Sequence, residues 1–126
     1  MIALVAALAF QFTGTTAQDL PLVFTRRGDV IQSFAVMVRA DCGRYGIVSE
    51  AQRFPPIRVY RGRFRGVARD VPKGIFPPGD LAIVTGHFVS RHVARGTITF
   101  RVRKADPTAG TIVCTSVGVR WKAIAP

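Results

Sequence analysis

Arg58, Arg61, Arg63, Arg65 and Arg69 fall within twelve residues, with Tyr60 and Phe64 between them. Arginine interleaved with aromatics on a sheet is the chemistry with which OB-type folds hold single-stranded nucleic acid, the guanidiniums meeting phosphates and the rings meeting bases. These five arginines form the candidate anion-binding set, although Phe64 is assigned to the core. Arg101, Arg103 and Lys104, followed by Arg120 and Lys122, add outward charge on the last segments. Other chemistry is sparse. His87 and His92 lie five residues apart with no carboxylate beside them in sequence, and are read as polar surface residues near a turn. Ser90 precedes His92 by two residues, but no G-x-S-x-G elbow is present, and proximity in sequence does not make a nucleophile–base pair. Asp29, Asp80 and Asp106 neighbour Gly or Pro, where an Asx side chain caps a turn. The sequence contains no clustered carboxylates of the calcium-loop type, no G-x-G-x-x-G and no P-loop. Cys42 and Cys114 with these two histidines do not have zinc-site spacing. No catalytic residue, metal or cofactor is therefore expected, and the reading is of a non-enzymatic domain.

The charge balance bears on partners. Eighteen Lys+Arg stand against seven Asp+Glu, a formal net charge of +11, and 15 of the 18 are arginine. Part of this excess solvates the outward faces of strands. A field of that sign also attracts polyanions; the sequence leaves the ligand unidentified, with an anionic envelope polymer or a membrane surface as candidate partners ahead of nucleic acid. Cys42 and Cys114 are expected to pair, which requires an oxidising compartment. The uncharged apolar run from Met1 to Ala9 ends in Ala7-Leu8-Ala9, the small-residue pattern of a signal-peptide cleavage site. Residues 1–9 are accordingly read as a signal-peptide remnant and 10–126 as one domain, secreted or held in the cell envelope.

The elements that must position these residues are strands. Of the 126 residues 48% are hydrophobic and nine are Phe, sufficient for one well-filled core. Alternation with period two dominates the chain, and helical periodicity is interrupted by Gly or Pro. Phe10 to Thr13 alternates and is expected to stop at Gly14. Leu20, Leu22 and Phe24 alternate up to a turn at Arg26-Arg27-Gly28-Asp29. Phe34, Val36, Val38, Ala40 and Cys42 share one face of the strand placed at the centre of the sheet. Further strands are read over 45–50, 57–60, 64–71, 81–90 with a bulge at Gly86, 96–103, and 111–124 with a bulge near Val117-Gly118. Residues 72–80, with three prolines, form an extended loop. Eight or nine short strands with turns about every ten residues indicate an all-β antiparallel sandwich or barrel, and the alternation leaves the choice between them open. A Cys42–Cys114 disulfide would close about 70 residues, worth about 4 kcal/mol in the chain-entropy model. Trp121, in phase with Val119 and Ala123, is read as a core anchor.

The stretch Gly86-His87-Phe88-Val89-Ser90, then Ala94-Arg95-Gly96-Thr97-Ile98, then Cys114 and Val119-Arg120-Trp121-Lys122-Ala123, forms a G-x-F-x-S … A-x-G-T … C … W-x-A series. It resembles a pattern of exported bacterial β-sandwich proteins that have no assigned activity. Phe12-Thr13-Gly14-Thr15-Thr16 and Phe64 after Gly62 fit the same pattern. The chain departs from it at Thr115-Ser116-Val117, where a Ser-Gly pair tends to follow the second cysteine. The resemblance implies a fold and an exported address, and no activity. The resulting expectation is an exported binding or structural module of the envelope, with a nucleic-acid-binding β-barrel as the alternative.

Overall fold

The computed structural model describes residues 8–69, 80–108 and 110–126. The predicted signal remnant, apart from Leu8 and Ala9, and the predicted loop, apart from Asp80, lie outside these residues. The described chain is β-structure throughout: β1 (Ala9–Thr16), β2 (Pro21–Arg27), β3 (Val30–Asp41), β4 (Ile47–Arg53), β5 (Ile57–Tyr60), β6 (Arg63–Arg69), β7 (Leu81–Phe88), β8 (Val93–Asp106) and β9 (Gly110–Ile124), with one 3₁₀ turn at Gly43–Tyr45.

All pairings are antiparallel, and they close on themselves. β2 pairs with β1 and β3, β3 with β4 and β5, and β5 through β9 pair in succession until β9 returns to β1. β4 and β5 occupy one position in this ring. Ala35 opposite Arg53 and Val30 opposite Arg58 belong to a single register on β3. The strand is interrupted only where Pro55 and Pro56 cannot donate to a ladder. Of the two arrangements left open by the alternation, the pairings select the barrel. The sandwich implied by the resemblance does not form, because one continuous sheet reaches back to its own first strand.

The chain order follows the ring. Tyr60-Arg61-Gly62-Arg63 is a two-residue hairpin with Arg61 at φ +50° and Gly62 at φ +72°, as a type I′ turn demands. β1 does not end at Gly14 but runs through it to Thr16. Gly86 makes no bulge: the β7–β8 ladder passes through Gly86 opposite Gly96 without a shift. The bulge predicted in the last strand is present. Ile98 faces Val119 and Phe100 faces Ser116, which leaves one extra residue in β9, with Gly118 at φ +62°.

The interior is aromatic. Phe12 and Phe24 stack at 4.8 Å between centroids, and Phe24 and Phe34 at 5.2 Å. Trp121, buried as expected, stands edge-on to Phe24 and Phe34. An eight-stranded barrel leaves an interior just wide enough for its side chains, so large rings require facing positions without side chains. Gly86 is one of these, since a Cβ there would overlap the rings of Phe64 and Trp121.

At one end β3 outruns β2. Its register with β2 ends at Val36 opposite Leu22, and the Gln18 side chain then takes over as partner. Gln18 Nε2 donates to the Arg39 carbonyl (2.8 Å), and its Oε1 accepts from the Arg39 N–H (2.9 Å). Beyond Gln18, Ser116 Oγ also donates to the Arg39 carbonyl, and Asp41 pairs with Thr115 on β9. The Cys42–Cys114 disulfide fastens this junction across 72 residues of chain. A closed disulfide fits a non-reducing compartment.

Replacing both cysteines with Ala is expected to lower unfolding stability by about 4 kcal/mol. The shift in the urea midpoint, followed by the fluorescence of Trp121, checks this. Gly86→Ala is expected to cost about 1–3 kcal/mol by overpacking, visible as a lower melting temperature with the disulfide intact.

Candidate functional site

The outward residues of β6 to β9 are set by the same registers that fill the core, because alternate residues face opposite sides. Arg63 lies opposite His87, His87 opposite Arg95, and Arg95 opposite Lys122. Tyr60 lies opposite Arg63 at the start of this row, and Thr15 opposite Lys122 at its end. A second row, two residues further along, contains Arg65, Thr85, Thr97 and Arg120. Neighbouring strands are about 4.8 Å apart and successive same-face residues about 7 Å. The first row therefore places three cationic side chains and an imidazole within about 15 Å.

Between the rows lies a shallow depression of about 320 Å³, lined by Arg63, Thr85, His87, Arg95, Thr97 and Arg120 together with Gly86 and Gly96. The hydroxyls of Thr85 and Thr97 are bonded to each other at 2.9 Å. Among the described residues no carboxylate lines the depression. Several carboxylates are engaged elsewhere. Asp41 accepts from the Gly43 N–H, Asp106 caps its turn at Thr108 as expected, and Glu50 pairs with Lys104. Asp80 accepts from the Arg103 N–H on β8 at 2.8 Å rather than from its own turn.

Like charges directly opposite one another on paired strands are destabilising, and Arg95 facing Lys122 is such a pair. Arginine is a planar, permanently charged donor fork suited to oxyanions. An anion seated between the rows would offset this repulsion and use the forks.

The five arginines of the candidate set are not one site. Arg63 and Arg65 belong to the charged face. Arg58 faces outward on β5, two residues before Tyr60. Arg61 is at the hairpin tip, its guanidinium 5.2 Å from the centroid of the exposed Tyr60 ring. Arg69 is six residues beyond Arg63 on β6, about 20 Å away along the strand. It borders a different opening of about 690 Å³, lined also by Glu50, Arg53, Phe100 and Val102, where β4 and β6 are not paired. Phe64 is buried, as expected. Arg120 and Lys122 face outward as read, but their convergence with Arg63 was not visible in sequence. Arg95 and His87 were missed as members. The alternation of Arg95, Thr97, Thr99 and Arg101 marks an outward face, whereas the residues opposite them come from other strands.

His92 belongs to no such group. Its ring meets Phe10 edge-on at 5.9 Å, and its backbone N–H donates to Ser90 Oγ at 3.2 Å, so Ser90 closes a turn. Among the described residues no three His, Cys, Asp or Glu side chains come together. No helix among them is long and apolar enough to cross a membrane.

No protein-family model, curated protein or solved structure matches the chain. Within the G-x-F-x-S … A-x-G-T … W-x-A series, Gly86, Ala94, Gly96, Trp121 and Ala123 serve packing: Gly86 faces Gly96, Gly96 faces Trp121, and Ala94 faces Ala123.

A non-Gly residue in the left-handed region is strained, and Arg61 occupies a position that type I′ turns give to Asn or Gly. Arg61→Asn is expected to stabilise the fold by about 1 kcal/mol, measured by chemical denaturation.

Proposed function

We propose that the chain is a non-enzymatic, exported β-barrel domain that binds an anionic polymer of the cell envelope through the outward face of β6 to β9. The observation that carries this reading is the row of Arg63, His87, Arg95 and Lys122, aligned across four strands above a depression without a carboxylate. The disulfide and the apolar run ending in Ala7-Leu8-Ala9 support export. The net charge of +11 brings polyanions to the surface, and the aligned row gives them a place to settle. Arginine and lysine on this outer face do not make the apolar band of a membrane-spanning barrel.

A second reading, single-stranded nucleic acid, draws on Tyr60, which is 69% exposed beside Arg63 and could stack a base. Export argues against it, since it separates the protein from cytoplasmic nucleic acid.

The test compares two charge-matched triple variants, Arg63→Gln/Arg95→Gln/Lys122→Gln and Arg44→Gln/Arg53→Gln/Arg103→Gln. Binding to a polyphosphate, to polygalacturonate, to a single-stranded oligonucleotide and to anionic vesicles is titrated against salt. The first triple is expected to weaken polymer binding roughly tenfold or more, and to flatten the log–log salt dependence by up to about one per lost contact. The second triple should lose much less. Equal losses in both would mean that net charge alone is responsible and would remove the site. Tightest binding to the oligonucleotide, lost in Tyr60→Ala, would favour the second reading.

A further inference from the structure

We propose that the depression between Arg63, His87, Arg95 and Arg120 is a discrete seat for one three-oxygen ester group, a phosphate monoester or a sulfate ester. The polymer bound would then be recognised by its phosphoryl or sulfo substituents and not by carboxylates. This inference rests on reading the face as anion-binding, and it deepens that reading by naming the group.

The donor inventory carries the argument. Guanidiniums approach from three different strands, Arg63 on β6, Arg95 on β8 and Arg120 on β9, and an imidazole from a fourth, His87 on β7. The floor contributes as well. Two hydroxyls bonded to each other at 2.9 Å use one of their two protons, and the other remains to be donated. A carboxylate is planar and has two oxygens, and a single guanidinium meets both of them bidentately. Bound in that way it has only two lone pairs left, both in its own plane, for the forks from the other two strands and the hydroxyl proton. A phosphoryl or sulfo ester presents three terminal oxygens splayed around one axis, and phosphoryl oxygens are strong acceptors. That shape answers donors arriving from several sides and from below. The depression is shallow and open to solvent, so the group to which the ester is attached can lie outside it. Lys122 opposite Arg95, and Arg65 opposite Thr85, place further positive charge at the rim, where the rest of a polyanion would run.

The inference separates two kinds of contact. Rim cations act through charge and should show in the salt dependence. The threonine floor is neutral and should show only in the choice of anion.

The experiment is calorimetric titration of the oxidised protein with inorganic phosphate, inorganic sulfate and acetate at matched ionic strength. Wild type is compared with Arg95→Gln and with Thr85→Val/Thr97→Val, near-ultraviolet circular dichroism reporting that each variant is folded. Thr85→Ser/Thr97→Ser is the conservative control. The expected result is saturable one-to-one binding of phosphate or sulfate, with acetate not saturating at the same concentrations. Affinity should fall about tenfold in Thr85→Val/Thr97→Val and be retained in the Ser variant, while the salt dependence of polyphosphate binding stays unchanged. Tighter phosphate than sulfate would identify a phosphate ester, and the reverse a sulfate ester. Acetate binding as tightly as the other two would overturn the inference. Polymer binding without a saturable small oxyanion would also overturn it, yet leave the proposed function standing. Binding to no polyanion at all would remove both.

Discussion

Closing the sheet between β1 and β9 sets the width of the interior, and the inward residues must fit that width. Eight ring positions leave room for side chains and little else. The stack of Phe12, Phe24 and Phe34 with Trp121 set across it fills the space. Room for the rings comes from an empty facing position, Gly86 under Phe64 and Trp121, and Gly66 gives the same room to the aliphatic side chains of Ile57 and Val84. Trp121 Nε1 is buried without a hydrogen-bond partner, a polar group accepted in exchange for the ring's apolar area. Closure also removes most sheet edges, which are otherwise a hazard for edge-to-edge association.

The junction of β3 with β9 is where closure is most difficult, because the hairpin of β1 and β2 is too short to line the whole of β3. A side chain substitutes for a strand there. Gln18 presents an amide donor and acceptor to Arg39 in the manner of a backbone, and Ser116 then Thr115 continue the contact. The disulfide lies at the end of this sequence of substitutions. It holds together segments whose own hydrogen-bonded register is only one residue pair long.

With core and junction carrying the stability, the outer face can hold an arrangement that does not help the fold. Cationic side chains set opposite one another across paired strands repel, and Arg61 holds a left-handed backbone conformation. Local departures of this kind gather at binding sites. Of the three described non-glycine residues with positive φ, Arg61 lies at the β5–β6 hairpin beside these rows, whereas Asp19 lies in the β1–β2 turn and Ser33 in β3.

Much of this was legible in the chain. Period-two alternation identifies strands because inward and outward residues alternate locally, and Phe34, Val36, Val38 and Ala40 on β3, with Cys42 just after it, are all buried as their spacing indicates. The bulge at Gly118 was legible because it shifts that phase within one strand. Gly14 and Gly86 misled, the first read as a strand end and the second as a bulge. A glycine that makes room for a distant aromatic, as Gly86 does, or for the backbone of a neighbouring strand, as Gly14 does at Lys122, looks the same in sequence as one that breaks a strand. The candidate arginines divided for a similar reason: Arg63 and Arg69 are close in number but far apart on an extended strand. By itself, the sequence determined the all-β class, the pairing of its two cysteines, and which residues of each strand face outward, all of which depend on local phase or on count. Only the tertiary structure decided that the sheet closes into a barrel and that Arg63, His87, Arg95 and Lys122 share a row. Register is a relation between strands, set by hydrogen bonds and core packing among segments distant in the chain, and no single segment encodes it.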